Sequence, residues 1–156
     1  MGANILRTGT VAILIAICSQ GIVHATSNDF LPFDMDEWLK YKKHRDFSWN
    51  VSVSKPALTL QQRFLVTVSA SIRGDDLPSS EKAYDLYFVL KVADEDNVWT
   101  PGYSNTRLTV PPRPDKYHYI NAVAGVYLRP GQYTLALIVY DSVTKKGNVQ
   151  QKKIKS

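Results

Sequence analysis

The sequence predicts an all-β protein: an antiparallel, Greek-key β-sandwich of seven or eight strands, preceded by a signal peptide and a short helical segment. Three observations lead there. From residue 48 onward apolar and polar residues alternate with a period of two; the alternating runs are short and divided by turn formers; and no helical period intervenes between consecutive strands. Parallel strands would need crossover helices, so the strands are expected to run antiparallel in two facing sheets.

Residues 1–25, "MGANILRTGTVAILIAICSQGIVHA", carry one charge, Arg7, then an apolar run over 11–17, and end on Val23, His24 and Ala25. This is the layout of a secretory signal, with the cut expected after Ala25. The apolar run falls short of the roughly 20 residues a spanning helix needs, which argues against a retained anchor. Ile17 stands where a lipoprotein peptidase requires a small residue, which argues against acylation at Cys18. Cleavage would remove Arg7 and Cys18, lowering the net charge from +5 to +4 and leaving no cysteine. The expected location is secreted or periplasmic, with no membrane span after cleavage. Roughly 130 remaining residues suffice for one domain held by its core alone. A cysteine-free exported domain fits a bacterial envelope better than a disulfide-stapled extracellular module. The basic residues are scattered among acids, so no nucleic-acid partner is expected.

Residues 26–47 differ in texture from the rest of the mature chain. Asp34 is placed to cap a short helix and Glu37 to complete a capping box. Acids fall in the first turn (Asp36, Glu37) and bases in the last (Lys40, Lys42, Lys43, Arg45), which suits the helix dipole. Met35, Trp38 and Leu39 would share a face. That face either packs on the main domain or presents Trp38 to a partner.

The domain proper is expected over 48–156. In "WNVSV", Trp49, Val51 and Val53 share one face. In "RFLVTVSASI", Phe64, Val66, Val68, Ala70 and Ile72 oppose Thr67, Ser69 and Ser71, a half-buried strand. "LYFVLKVAD" puts Leu86, Phe88, Leu90 and Val92 inward, and "DEDN" turns the chain before Val98 and Trp99. "TRLTV" is stopped by "PPRP", whose prolines cannot donate to a ladder. "KYHYINAVAGVYL" reads as a strand irregular at Gly125, and two more strands close the chain, "YTLALIVYD" and "NVQQKKIK".

"LRPGQY" marks a crossing between sheets. Leu128 would anchor it in the core, Pro130 and Gly131 make the turn, and Tyr133 open the penultimate strand, returning its hydroxyl to upstream backbone as a tyrosine corner. That placement specifies an immunoglobulin-like sandwich. The stretch "VYLRPGQYTLALIVYDSVTKKGNVQQKKIKS" resembles the closing strands of immunoglobulin-like or fibronectin-like β-sandwich modules of bacterial exported proteins. Its Leu-x-Pro-Gly-x-Tyr-x-Leu, Tyr140 with Asp141 and "TKKG" turn are similar to sandwich regions of acidobacterial von Willebrand factor A-related proteins. The resemblance implies a scaffold or interaction role and carries over no catalytic residue.

Little chemistry is written in the chain. Beyond the signal, His44 and His118 are the remaining histidines, with no Gly-x-Ser-x-Gly elbow and no cysteine to serve as nucleophile. An enzyme is therefore not expected, nor a cofactor. No histidine pair has zinc-ligand spacing. Asp94 and Asp96 in the acidic hairpin are a weak calcium candidate, which Asp75 and Asp76 could join only if the two loops converge. Trp99, Tyr103 and Tyr127 extend the supply of aromatics, among which Trp38, Tyr87, Tyr117, Tyr119 and Tyr140 are the candidate binding residues. The expected function is that of a non-enzymatic accessory or scaffold module that binds a protein partner in the cell envelope. The alternative is a carbohydrate-binding module that stacks a polysaccharide on its Tyr and Trp side chains.

Overall fold

The computed structural model describes residues 30–156, so the signal segment expected over 1–25 lies outside the described residues. The all-β sandwich is present, with nine strands among those residues. They are β1 (Lys43–Arg45), β2 (Asn50–Val53), β3 (Ala57–Leu58), β4 (Phe64–Arg73), β5 (Tyr84–Ala93), β6 (Ser104–Val110), β7 (Tyr119–Leu128), β8 (Gln132–Asp141) and β9 (Lys146–Lys155). One sheet has the order β1-β9-β8-β5-β6. In the other, β4 pairs with β7 along its whole length on one side, and with β2 and then β3 on the other. All pairings are antiparallel. β4 and β7 thus face β5, β8 and β9 in the arrangement of an immunoglobulin-like sandwich, with β6 joined to the edge of β5.

The strand count exceeds seven or eight because of two short edge strands, β1 and β3. The helix α1 spans only Met35–Leu39. Asp34 caps it, its carboxylate accepting from the amides of Asp36 and Glu37, but Glu37 pairs with Lys40 instead of closing a capping box. Lys43 and Arg45, expected in its last turn, instead pair with Gln150 and Asn148 on β9. The edge of β9 offers those backbone groups ladder partners that one more exposed helical turn could not. The division expected at residue 47 is therefore no boundary, since β1 completes a sheet and Phe47 lies in the core. Gly125 is no irregularity either: it pairs in register with Thr67.

Between the sheets, Val66, Val68, Ala70 and Ile72 of β4 meet Leu86, Phe88 and Leu90 of β5 and Leu135, Leu137 and Val139 of β8. β5 and β8 are central and buried on both faces. Their second face belongs to another apolar cluster, in which Val89, Ala136, Ile138 and Val149 pack under Leu39, Leu31, Phe33, Met35 and Trp38. The short helix and the residues before it form a third layer.

Two crossings join the sheets by way of a strand-opening tyrosine. At β4 to β5, the buried Tyr84 donates its hydroxyl to the carbonyl of Pro78, at 2.8 Å. At β7 to β8, Leu128 is buried and Tyr133 packs on the core as expected. Its ring lies over Gly131, where a Cβ would come within 3.4 Å of Tyr133 Cε2. The expected bond from that hydroxyl to upstream backbone is not made among the described residues. Ser156 closes the corner instead: the Gly131 and Ser156 amides and carbonyls bond reciprocally, at 3.2 and 2.9 Å, and Ser156 Oγ donates to the carbonyl of Arg129. The return bond expected at Tyr133 is thus found at Tyr84.

Candidate functional site

The two outer faces of the sandwich divide the candidate residues between them. On the five-stranded sheet, Tyr87 and Tyr140 sit side by side in register on β5 and β8, their side chains directed outward. They are nevertheless 6% and 7% exposed: Phe33 and Trp38 lie over Tyr140, and the Arg107 guanidinium lies over the Tyr87 ring at 5.3 Å from its centroid. The ring centroids of Phe33 and Tyr140 are 4.8 Å apart, and Trp38 meets Tyr140 edge-on at 5.7 Å and His44 at 5.6 Å. Trp38 therefore docks on its own sheet and presents no free indole face there. Gly147 makes room for it: a Cβ at that position would stand 2.8 Å from Trp38 Cη2 and 2.5 Å from the carbonyl of Val139.

Polar groups on this sheet are engaged with one another. Asp85 receives the guanidinium of Arg107 in a two-point pair at 2.7 and 3.0 Å, and the hydroxyls of Ser142 and Tyr87. Arg107 holds the Asp85 carboxyl below the usual carboxylate range, with burial opposing and Ser142 assisting. Asp141 is fully buried and accepts from the amides of Asp85 and Thr144, each at 2.9 Å. Burial, with Asp141 adding, pushes the Tyr84 and Tyr140 phenols up. Lys91 is 9% exposed; its ammonium donates to the carbonyl of Pro101 at 3.4 Å and stands over the Tyr103 ring, 5.8 Å from its centroid. Burial pulls its ammonium below the usual lysine range, partly offset by Asp36. The carboxylates of Asp85 and Asp141 and the phenols of Tyr84 and Tyr87 are occupied as hydrogen-bond partners, an arrangement that braces strands and the β8–β9 turn.

The outer face of the four-stranded sheet is different. Tyr119, Asn121, Val123, Gly125 and Tyr127 of β7 lie opposite Arg73, Ser71, Ser69, Thr67 and Leu65 of β4. No described element covers them: Tyr119 is 55% exposed and Val123 56%. Tyr117, just before β7, is exposed and lies beneath Lys116 Nζ at 4.8 Å. Ser52 and Ser69 share a hydroxyl bond at 2.7 Å, and the middle of the face is a row of small polar side chains. Of the candidate binding residues, then, the structure leaves Tyr119 on the open face and Tyr117 exposed just before it, buries Tyr87 and Tyr140 on the other face, and makes the half-buried Trp38 part of that face's cover. The alternation by itself does not single out Val123 and Tyr127. Counting outward positions in steps of two from Tyr119 reaches both, provided that Gly125 is taken as part of the ladder.

The remaining candidates are quickly placed. Asp94 accepts the amides of Asp96 and Val98 at 3.1 and 2.9 Å, so its carboxylate shapes the hairpin. Asp75 and Asp76 pair with Arg73. Among the described residues no three His, Cys, Asp or Glu side chains gather as a metal site. His118 is exposed, and His44 shares a bond with Asp46 at 3.2 Å. No described helix is long and apolar enough to cross a membrane.

No protein-family model matches the chain, and no curated protein does. Among solved structures, a Bacteroides uniformis β-glucuronidase is similar over 67% of this chain and 12% of its own, at 10% identity and a TM-score of 0.43. The chain thus spans about an eighth of that enzyme's length. A structural-genomics target is similar over 69% of this chain and 83% of its own, at 13% identity and a TM-score of 0.40. A Bordetella pertussis protein described as ApaA is similar over 70% and 94%, at 11% identity and a TM-score of 0.35.

Proposed function

We propose that the chain is a non-enzymatic, exported β-sandwich module that binds a protein partner of the cell envelope through the open face of its four-stranded sheet. One observation carries this reading. The chain covers one outer face with its own N-terminal residues and leaves the other bare, with Tyr117, Tyr119 and Val123 exposed on and beside a ladder of serine and threonine. Tyrosine anchors ringed by small polar groups suit a protein interface. The polar groups of the sealed face are engaged with one another, which supports a role without catalysis.

The test is a photo-cross-linking residue placed at Val123 in the producing cell, with one at Lys82 as control. A discrete adduct specific to position 123, and lost in Tyr119→Ser, is the expected result. Equal adducts at both positions would remove the proposal. A polysaccharide is the second reading, favoured by the hydroxyl row beside Tyr119; it would use Tyr117 and Tyr119 without Tyr87 and Tyr140, and retention of the protein on insoluble envelope polysaccharide, abolished by Tyr119→Ser, would establish it.

A further inference from the structure

The last strand breaks the rule that builds the sandwich. Residues of β9 opposite inward-facing residues of β8 lie on the inward side of the strand: Asn148 opposite Val139 is buried, Gln150 opposite Leu137 and Ile154 opposite Tyr133 are half-buried, and Lys152 opposite Leu135 is exposed at the open edge of that space. Three of these four positions are polar. Asn148 is accounted for, since its amide holds the backbone of Asp46 and Phe47. Gln150 and Lys152 have no side-chain partner among the described residues. They border a cavity of about 260 Å3 on the seam between β2 and β9, where Val51, Val53 and Val68 from one sheet and Leu135 and Leu137 from the other supply an apolar wall.

The seam is open for a topological reason. β2 is a sheet edge that pairs only with β4, and β1 covers β9 only over Asn148 to Gln150, so neither sheet has a strand across the gap. An inward lysine on an edge strand can serve to prevent pairing with another chain. That explains Lys152 but not the unfilled apolar volume behind it, which close packing would remove. A cavity of about 150 Å3 already accepts benzene, so this one has room for a larger hydrocarbon group. Its polar border offers one ammonium and one amide and no carboxylate.

We propose that this seam binds a small amphipathic carboxylate. The hydrocarbon end lies against Val51, Val53, Val68, Leu135 and Leu137, and the carboxylate takes hydrogen bonds from Lys152 Nζ and Gln150 Nε2. The charge at the border selects an anionic head, and the apolar wall selects a chain of roughly eight carbons over acetate or propionate. The site is independent of the face that carries Tyr119.

Octanoate titrated into the full-length chain tests this, followed by amide and methyl NMR shifts. Saturable shifts confined to the seam are expected, with octanol and propionate each binding at least about tenfold more weakly, and Lys152→Gln costing octanoate about tenfold. Val53→Phe, which fills the cavity, should abolish the shifts; Lys152→Gln, an exposed change, keeps the test decisive if the filled variant fails to fold. Absence of saturable shifts in the wild type, or unchanged octanoate affinity in Lys152→Gln, would overturn the site. Self-association of Lys152→Gln in a protein that does not bind octanoate would assign the lysine to edge protection alone.

Discussion

The two outer faces of this sandwich start from similar strands and end in opposite states. On the five-stranded sheet, the outward residues of β5 and β8 include Val89, Ala136, Ile138 and Tyr140, which a lid of Phe33, Trp38 and Leu39 removes from water, and Tyr87, which Arg107 covers. On the four-stranded sheet, the outward residues of β4 are Thr67, Ser69 and Ser71, and they remain bare. A sheet face acquires a cover where its own outward residues are apolar enough to repay the ordering of extra chain. Where they are small and polar, aromatic residues at the margin stay available for something outside the molecule.

The largest effect should come from lifting the lid. Trp38→Ala removes the ring that packs on Tyr140, His44 and the surface over Gly147, and should cost about 3 kcal/mol, read as a lower urea midpoint. A loss near zero would mean that the lid is incidental to the fold. A smaller effect of opposite sign is expected at Lys91, on the same sheet. Lys91 is a desolvated ammonium with one long hydrogen bond and a distant contact over the Tyr103 ring, so Lys91→Met should raise stability by about 1 kcal/mol, and a destabilised variant would show that Pro101 and Tyr103 together repay the desolvation.

Next in size is the acid limb of the stability curve. The folded pKa of Asp85 lies below its unfolded value, so its stabilisation is complete above about pH 4 and disappears as pH falls through the lower folded value. Arg107 is largely exposed, which holds the contribution under about 1 kcal/mol. Arg107→Gln should flatten that limb while leaving the curve above pH 6 nearly parallel to wild type, and an unchanged acid limb would detach Asp85 from stability. The smallest effect belongs to the bare face: Tyr119→Ser with Val123→Ser should shift stability by under about 0.5 kcal/mol in either direction while removing partner capture. A large loss there would show that the face is part of the fold after all.

Much of this was legible in the sequence because a period of two is a local property. Val66, Val68, Ala70 and Ile72, or Leu86, Phe88 and Leu90, alternate whatever lies opposite them, so the all-β class, the two layers and the crossing at Leu128 could be read directly. The N-cap at Asp34 was readable for the same reason. The site was less legible. Tyr87, Tyr140 and Trp38 are amphipathic side chains whose local pattern is the same whether water or another layer covers them. Only the docking of Phe33 and α1 on Tyr140, and of Arg107 on Tyr87, covered these rings, and only the uncovered β7 left Tyr119 outside.

The chain's alternation and its turn residues determined a sandwich and the places where it changes sheets, since those depend on a few neighbouring residues and on backbone sterics. Which face is sealed, which tyrosine ties a crossing, and why β9 turns Gln150 and Lys152 toward a gap were decided by tertiary structure. These depend on residues far apart in the chain, such as Trp38 with Gly147 or Val53 with Leu135, and on whether the edge of a sheet finds a strand to cover it.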